Sequence, residues 1–545
     1  MDARSPDLTP LPDLLHDRAR TGAVRDRRPV YLNLLPPCND ACPAGENIQA
    51  WLAAAQAGEH ERAWRILVAD NPMPAIHGRV CYHPCENACN RAHLDSSVSI
   101  HSVERFLGDL AIARGWAFDP PAAPTGRRVL VVGAGPSGLS AAYHLARLGH
   151  RVVVHDAGAE PGGMMRYGIP AYRLPRDVLA AEIARIQALG VEIVTGHPVR
   201  DLVAERAEGR FDAVFVAVGA HLSKRVDIPA REAGRIVDAV GFLRSVAAGE
   251  RPAIGRRVAV YGGGNTAMDA ARVARRLGAD EAVIVYRRTR GQMPAHPEEA
   301  EEAEREGITI NWLRTIQAVD GPDLTVEVME LDAEGRPVPT GRTETLSADT
   351  VILALGQRCD VTFLRGVPGV RFTPDDTVVV SPSLMTGCPG VFAGGDLVPA
   401  ERTVTVGVGH GRTAARHIDA YLRASTYEPP AAPRTAGFGD LHPWYFGDNA
   451  RRAQPERDAA TRTGDFAEIV GGLDPDAARY EAGRCLSCGT CFECDGCLGS
   501  CPEDAIVKLG PGRGYRIDTA RCTGCGTCFD QCPVHAIELI PEVTS

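Results

Sequence analysis

Cysteine is the residue type whose spacing carries the most chemistry in this sequence of 545 residues. Of its 17 cysteines, the densest group lies between Cys485 and Cys532 and contains two runs of the form Cys-x2-Cys-x2-Cys-x3-Cys-Pro. This doubled pattern is typical of bacterial ferredoxins with two [4Fe–4S] clusters, in which the fourth cysteine of each run binds the other cluster. A pair of zinc ribbons is the alternative, because zinc sites also use paired cysteines.

The same spacing predicts how these thiols divide between two clusters. Three closely spaced thiolates bind three corners of one cubane, and the Cys-Pro turn directs the last thiolate toward the neighbouring cluster. One predicted ligand set is Cys491, Cys494, Cys497 and Cys532. The other predicted set is Cys501, Cys522, Cys525 and Cys528.

A second group of cysteines lies near the N-terminus. Between its two halves, residues 48–70 place apolar side chains three and four positions apart, which predicts two short amphipathic helices. Such helices would connect two ligand loops around a buried cluster. On spacing alone, metal or iron–sulfur ligands and structural thiols both remain open. The group comprises Cys38, Cys42, Cys81, Cys85 and Cys89.

The middle of the chain contains a glycine-rich loop between two apolar strands. Residues 127–156 predict a strand, the loop Gly133-x-Gly135-x-x-Gly138, a helix, and a second strand that ends at Asp156. The glycines let backbone N–H groups approach a pyrophosphate at the helix N-terminus, and the acidic residue is placed for a ribose hydroxyl. This unit therefore predicts a dinucleotide site.

A second such unit begins at residue 256 but ends in different chemistry. Its loop is Gly262-x-Gly264-x-x-Ala267, and Asn265 lies within it. Its second strand ends in Arg287 and Arg288, which suit the 2′-phosphate of NADP, whereas a carboxylate there would repel that phosphate. Two solvated arginines at a strand end are the alternative.

Two loops with different strand ends predict two dinucleotides, FAD at the first and NADP(H) at the second. A third signature, Gly394-Gly395-Asp396, follows the predicted strand 349–355 and precedes a helix near Val408. In flavoprotein reductases such a Gly-Asp pair closes over the flavin side chain. Because it comes after the second loop, we expect a discontinuous FAD domain with the NADP domain inserted in it.

Six short motifs give the chain a resemblance to a known family. They are Cys42–Gly45, Gly78–Cys81, Tyr167–Pro170, Gly262–Asp269, Tyr286–Arg288 and Met293–Ala295. Across residues 36–424 the chain resembles the glutamate synthase small (β) subunit family, which includes the N-terminal half of dihydropyrimidine dehydrogenase and the large subunit of ferredoxin-linked transhydrogenases. The resemblance implies FAD, NAD(P)H and two [4Fe–4S] clusters in an N-terminal helical domain. We also assign Gly163 and Arg173, which flank the Tyr167 motif, to the FAD site.

The resemblance also implies ligands for the two N-terminal clusters. One would use Cys42, Cys81, Cys85 and Cys89. For the other, relatives use an upstream CxxC pair, a cysteine matching Cys38, and a Glu or Gln matching Glu104. No cysteine precedes Cys38 here, so Cys485 and Cys488 are the candidate replacement pair. Free thiols or a small zinc site are the alternatives for that pair, and the chain is expected to hold three or four clusters.

The motifs predict an α/β core of two Rossmann-like domains, one inserted in the other. An α-helical iron–sulfur domain would precede this core, and an α+β bacterial-ferredoxin-like domain would follow it. The predicted divisions are an N-terminal extension (1–35), the helical domain (36–126), the first FAD segment (127–240), the NAD(P) domain (241–358), the second FAD segment (359–424), a connector (425–484) and the ferredoxin-like domain (485–545).

Composition excludes some classes of protein. With 59 basic and 69 acidic residues, the net charge of −10 argues against a nucleic-acid binder. No apolar run reaches the roughly 18 residues of a membrane span. The segment from Met1 to Leu15 has no signal-peptide core. We therefore expect a cytoplasmic protein.

The predicted function is an NAD(P)H-dependent oxidoreductase that relays electrons between NADPH, FAD and [4Fe–4S] clusters. Its partner would be a ferredoxin, a 2-oxoacid oxidoreductase or the large subunit of a synthase. The protein itself would form a hetero-complex with that partner or a homodimer. The alternative is the NADPH-oxidising subunit of a larger glutamate-synthase-like, 2-oxoacid oxidoreductase or bifurcating complex. A redox-sensing scaffold is the non-enzymatic alternative. No catalytic acid or base is assigned, because hydride passes directly between the cofactors.

Overall fold

The computed structural model describes residues 25–224, 228–231 and 235–542. Residues 1–24 of the predicted N-terminal extension lie outside this portion of the chain. Within the described ranges, no helix combines the length and the apolar character needed to cross a membrane.

A strand and a small helical domain open the described chain. Fully buried indole rings, Trp51 and Trp64, form the centre of the helical domain, as expected for helices with one apolar face. The elements are β1 (Arg27–Tyr31), α1 (Pro37–Ala41), α2 (Ile48–Gln56), α3 (His60–Val68), α4 (Pro74–Val80), α5 (Pro84–Asn87) and α6 (Ile100–Arg114).

The first nucleotide-binding unit follows. Its strands are runs of valine and other apolar residues buried on both faces, the pattern of a parallel sheet covered by helices. Its elements are β2 (Arg128–Val132), α7 (Pro136–Arg147), β3 (Arg151–His155), α8 (Met164–Tyr167), α9 (Arg176–Gln187), β4 (Glu192–Val194), α10 (Leu202–Glu208) and β5 (Ala213–Val216).

A long insertion follows β5 and separates it from the last strand of the same sheet. The insertion contains β6 (Leu222–Ser223), β7 (Ala230–Arg231), β8 (Arg235–Asp238), α11 (Ala239–Ala247), β9 (Arg257–Tyr261), α12 (Asn265–Arg276), β10 (Glu281–Tyr286), α13 (Pro297–Arg305), β11 (Thr309–Trp312), β12 (Arg314–Asp320), β13 (Asp323–Leu331), β14 (Pro337–Ser347), β15 (Thr350–Leu353) and β16 (Gln357–Arg358). The chain then returns with β17 (Val391–Ala393) and α14 (Val404–Leu422).

Strand order confirms the predicted fold class. The first sheet is parallel with the order β17-β5-β2-β3-β4, so β17 completes a sheet whose other strands precede the insertion. The second sheet is parallel with the order β11-β10-β9-β15-β8. Because β8 pairs with β15 in that second sheet, the inserted unit begins before the predicted division between residues 240 and 241. A four-stranded sheet of β14, β13, β12 and β7 packs beside it.

The C-terminal elements form the ferredoxin-like unit, but they do not form it alone. They are α16 (Gly496–Ser500), β18 (Ile506–Lys508), β19 (Tyr515–Ile517), α17 (Thr527–Asp530) and β20 (Ile537–Pro541). The helix before them, α15 (Pro475–Gly483), belongs to the connector and packs against α2 and α6 of the helical domain. Strand β1 pairs antiparallel with β20, from Arg27 opposite Pro541 to Tyr31 opposite Ile537. The described portion of the predicted N-terminal extension is therefore a strand of the ferredoxin-like sheet.

The connector is attached to the inserted unit by a buried ionic network. The Glu306 carboxylate accepts hydrogen bonds from Arg272 at 2.9 Å, Arg276 at 2.7 Å and Arg462 of the connector at 2.9 Å. All four side chains are buried. Burial raises the pKa of Glu306, but the hydrogen bonds from Arg276 and Arg272 outweigh burial and lower it to about 2. One carboxylate thus balances guanidinium groups from two segments of the chain.

We predict that Glu306→Gln lowers the free energy of unfolding by about 3 kcal/mol at neutral pH, because removing one partner of a buried ion pair leaves the other charges uncompensated. The native pKa lies below the ordinary value, so this stabilisation is present above about pH 4.5 and is lost as the pH falls toward 2. Urea unfolding followed by circular dichroism at several pH values measures both effects.

The matched control is Asp332→Asn, which breaks the exposed ion pair with Arg336 and should leave the unfolding midpoint nearly unchanged. If both variants unfolded at the midpoint of the unaltered protein, the network would not stabilise the fold.

Candidate functional site

One cavity of about 1000 Å³ lies between the two parallel sheets and opens onto both glycine-rich loops. The expected FAD residues that line it are Gly133, Gly135, Asp156, Gly163, Arg173, Gly395 and Asp396. The expected NADP residues that line it are Gly262, Gly264, Asn265, Arg287 and Arg288. Gly138 and Ala267 do not line the cavity but are buried in the first turns of α7 and α12.

The first loop presents polar atoms that fit a flavin dinucleotide. The Ser137 hydroxyl is buried at the cavity wall and has no hydrogen-bond partner among the described residues. The Asp156 carboxylate accepts bonds from the backbone N–H groups of Ala134 and Gly158, both at 2.6 Å, which fixes it at the end of β3. Burial raises the pKa of Asp396 to about 6. A phosphate and a ribose would satisfy these groups.

The second loop fits a phosphorylated nicotinamide dinucleotide. A Cβ placed on Gly264 would meet no atom within 4 Å, so the space beside this glycine is open to a ligand. Arg288 lines the same space with a buried Nε that has no hydrogen-bond partner in the described chain. Arg287 is exposed beside it. Two guanidinium groups here suit a 2′-phosphate.

Two of the expected site residues have other partners. Arg173 donates to both oxygens of Asp269 at 3.0 Å and pairs with Glu299, so it joins the first unit to the inserted one. We expected it to contact FAD, but carboxylates of the other domain hold its guanidinium. The Asn265 side chain accepts a bond from the His296 backbone N–H at 2.8 Å and donates to the Tyr82 hydroxyl at 2.7 Å.

Tyr82 is a cavity residue that the sequence analysis missed. It comes from the helical domain, directly after Cys81, and its ring stacks on His296 with centroids 4.5 Å apart. Burial raises the pKa of Tyr82 to about 12, so its phenol is protonated at neutral pH. The signal in the sequence was its position next to a predicted cluster ligand. The helical domain thus contributes one wall of the nucleotide cavity.

The N-terminal thiols form two groups, and their membership differs from the expected one. Burial and, after it, the neighbouring Glu104 raise the pKa of Cys81 to about 12. Burial also raises the pKa of Cys42, with contributions from Glu46, Glu104 and Cys81. Burial and then Glu86 raise the pKa of Cys85, and Cys81, Cys42 and Cys38 raise it further. Glu104 therefore lies with Cys42, Cys81 and Cys85.

The second group contains the fourth thiol that we had assigned to the first. Burial raises the pKa of Cys38, and the neighbours that raise it further are Cys485, Cys89 and Cys488. The two expected ligand sets stay predictions, but these neighbours favour an exchange of Cys89 and Glu104 between them. The physical reason is the path of the chain. Cys89 ends the turn after α5 and raises the pKa of Cys485 and Cys488. Glu104 on α6 accepts a hydrogen bond from Asn71 and raises the pKa of Cys42 and Cys81.

The ferredoxin-like thiols lie close enough to raise one another's pKa, and their division into two ligand sets stays a prediction. Burial raises the pKa of Cys491, and the neighbouring Cys497, Cys532 and Cys494 raise it further. Cys522 has Cys501 and Cys525 as its neighbours. Burial raises the pKa of Cys528, and Cys522, Cys525 and, less strongly, Cys497 raise it further. Cys525 is exposed.

These four groups suit iron–sulfur clusters because of their donors and their burial. Burial raises the pKa of Cys485 to about 11 and of Cys488 to about 12, so bare thiolates would be unstable there. Iron supplies the compensating positive charge, and thiolate is the ligand that [4Fe–4S] clusters use. The Thr405 hydroxyl is buried without a hydrogen-bond partner in the described chain, yet lies close enough to Cys81 to lower its pKa.

Three family models match the chain. The pyridine nucleotide-disulphide oxidoreductase model covers residues 127–414, which is more than half of the sequence. The model of dihydropyrimidine dehydrogenase domain II with its 4Fe-4S cluster covers residues 32–116. A 4Fe-4S binding domain model covers residues 515–538.

Curated relatives extend over most of the chain. The chain is 38% identical to an NADP(+)-dependent formate dehydrogenase subunit beta from Moorella thermoacetica, over 83% of this chain and 70% of the relative. It is 34% identical to an NADPH-Fe(3+) oxidoreductase subunit beta from Geobacter sulfurreducens, over 83% and 75%. It is 33% identical to the glutamate synthase [NADPH] small chain of Azospirillum brasilense, over 73% and 88%.

These matches confirm the resemblance to the glutamate synthase small subunit and the expected cofactor classes, FAD, NAD(P)H and [4Fe–4S] clusters. The residues that line the nucleotide cavity lie within the first two family models, the N-terminal thiols lie within the second, and Cys522, Cys525, Cys528 and Cys532 lie within the third. The chain belongs to the pyridine nucleotide-disulphide oxidoreductase family, as an NAD(P)H-dependent flavoenzyme with iron–sulfur domains at both ends.

Proposed function

We propose that this enzyme moves electrons between NADPH in the cavity and a redox partner protein at the ferredoxin-like domain, through four [4Fe–4S] clusters. The observation that supports the proposal most directly is the continuous series of ligand groups that begins beside the cavity and ends at the exposed Cys525. A flavin bound at the first loop would exchange a hydride with nicotinamide and exchange single electrons with iron–sulfur clusters.

Within the cavity, the chain's own residues would bind the two dinucleotides and orient them toward each other. The first loop and Ser137 would hold the FAD phosphates, with Asp156 on its ribose and Asp396 near the flavin side chain. Arg287 and Arg288 would hold the 2′-phosphate of NADPH. Such positioning contributes most of the catalysis when the chemistry belongs to the cofactors.

Helix α14 links the cavity to the first ligand group. Val404 and Gly407 line the cavity, and Thr405 between them reaches Cys81 on the other side. One turn later, a Cβ on Gly409 would lie 2.0 Å from the Pro43 carbonyl oxygen, so only glycine lets the helix approach the loop that carries Cys42. This close packing supports electron exchange between the cavity and the first group.

The remaining ligand groups would continue the electron path from the first group toward the ferredoxin-like domain. Cys85 of the first group senses Cys38 of the second, which supports the proximity of the two groups. Cys488 of the second group lies three residues before Cys491 of the third. Of the revised ligand sets, we propose Cys42, Cys81, Cys85 and Glu104 for the first and Cys38, Cys89, Cys485 and Cys488 for the second.

The proposal also includes a larger assembly. Two of the relatives are named as beta subunits and a third as the small chain of an enzyme. We propose that this chain likewise serves a partner, which accepts or donates electrons at the ferredoxin-like domain. The candidates are a ferredoxin, a 2-oxoacid oxidoreductase or a larger subunit of a synthase, reductase or bifurcating complex.

The isolated chain, purified without oxygen, should reduce a viologen dye with NADPH as the donor, because the dye replaces the partner at an exposed cluster. Dye reduction is followed by its absorbance. Protein that carries flavin and iron but transfers no electrons from NADPH to the dye would contradict the proposed relay.

The double substitution Arg287→Ala/Arg288→Ala should raise the KM for NADPH at least tenfold and leave that for NADH nearly unchanged. Losing a charge-assisted hydrogen bond to phosphate costs on the order of 1.5–3 kcal/mol. Steady-state kinetics with both donors measures the effect. Arg290→Ala is the control, because that exposed arginine pairs with Glu304 outside the cavity. Equal losses with both donors would mean that the two arginines are structural.

Iron content tests the revised ligand sets. Four cubanes hold about sixteen irons, and Cys485→Ser/Cys488→Ser should remove about four of them. Adding Cys89→Ser to this variant should remove no more, because all three residues serve one cluster. Adding Cys81→Ser instead should remove about four more. If the variant with Cys89→Ser also lost about eight irons, Cys89 would belong to the Cys42 cluster and the revised sets would be wrong.

A further inference from the structure

The segment that carries β1, residues 25–34, contacts the ligand loops of the ferredoxin-like unit although it lies at the other end of the chain. Beyond the pairing with β20, Leu34 donates its N–H to the Gly489 carbonyl at 2.9 Å. The Arg25 guanidinium donates to the Cys522 carbonyl, also at 2.9 Å. A strand that only completed the sheet would need the pairing with β20 alone, and not these two further hydrogen bonds to the ligand loops.

One side chain of β1 contacts a ligand sulfur directly. The Tyr31 hydroxyl lies 3.2 Å from Cys497 Sγ, in a part-buried position. A cysteine that binds iron carries no proton, so the tyrosine must be the donor in the cluster-bound protein. The Tyr31 ring stacks on Tyr515 with centroids 6.1 Å apart, which holds the phenol in place.

Other described hydrogen bonds to ferredoxin-like sulfurs come from within the unit itself. The Ala536 N–H donates to Cys532 Sγ at 3.2 Å. The Thr527 hydroxyl lies 3.4 Å from Cys525 Sγ of the other set. The Tyr515 hydroxyl, although stacked against Tyr31, donates to Asp495 at 2.7 Å and not to sulfur. Tyr31 is thus a hydrogen-bond donor to a ligand sulfur, and it comes from a segment far away in the sequence.

We propose that Tyr31 is a positioning residue that raises the reduction potential of the cluster bound by Cys491, Cys494, Cys497 and Cys532. Reduction adds negative charge that spreads onto the ligand sulfurs, and a hydrogen bond to sulfur stabilises that charge. The inference rests on the proposed ligand set. It gives β1 a redox role, because the strand that docks the ferredoxin-like unit also sets the potential of one of its clusters.

The test is a redox titration of the full-length holoenzyme followed by electron paramagnetic resonance. In Tyr31→Phe, the reduction equilibrium constant of one cluster should fall about tenfold, a shift of about 59 mV to lower potential for a one-electron couple. In Tyr515→Phe, which removes a hydroxyl from the same ring stack, all potentials should stay unchanged. Thr527→Val should move only the other ferredoxin-like cluster, which assigns the two signals.

Replacement of Tyr31 by a fluorinated tyrosine keeps the ring and makes the phenol a stronger donor, so the same potential should rise. This variant decides the matter if Tyr31→Phe loses iron. Unchanged potential in both Tyr31 variants at full iron content, or an equal shift in Tyr515→Phe, would overturn the inference alone. If the unaltered protein showed no ferredoxin-like cluster signals, the proposed ligand sets would fail as well.

Discussion

The charge of a buried thiolate is the constraint on which the rest of this structure depends. Thiols such as Cys38 and Cys485 lie where burial alone would keep them protonated, and only iron makes their ionised form stable. One cluster must then draw its ligands from wherever the chain can bring thiols together. In the second N-terminal group, almost the whole length of the chain separates Cys38 from Cys488.

The connector meets this demand by a dense set of buried polar contacts. The Arg484 guanidinium is 1% exposed and donates to Asp95, to Glu481 and to backbone carbonyls of the helical domain. Glu481 in turn accepts a bond from the Ser99 N–H at 3.0 Å. These groups lie just before Cys485, so the contacts that dock α15 also position the two thiols that follow it. With the proposed ligand set, metal binding and docking of the connector become one event, because the ligands come from separate segments of the chain.

Local spacing predicted the sites whose residues come from one short segment. The glycine-rich loops and the two ferredoxin-like runs could be predicted from the sequence, because their turns require particular residues at fixed offsets. Sites assembled from several elements were not. Whether Cys89 or Glu104 joins Cys42 depends on how α5 and α6 pack, and β1 pairs with a strand at the far end of the chain. The same limit applies to Arg173. Its position in the sequence near a predicted loop does not reveal that Asp269 and Glu299 of the inserted unit pair with it.

The packing around Cys81 shows why this assembly suits electron transfer. Tyr82, the next residue, is bonded to Asn265 at the second nucleotide loop, whereas Thr405 lies beside the Cys81 sulfur from the helix that borders the flavin end of the cavity. Both nucleotide units therefore contact one ligand segment of the helical domain. Because close-packed side chains leave little freedom for relative motion, these contacts fix the spacing between the cavity and the first cluster ligand. The residues that bind the dinucleotides and those that bind iron belong to one continuous packed structure.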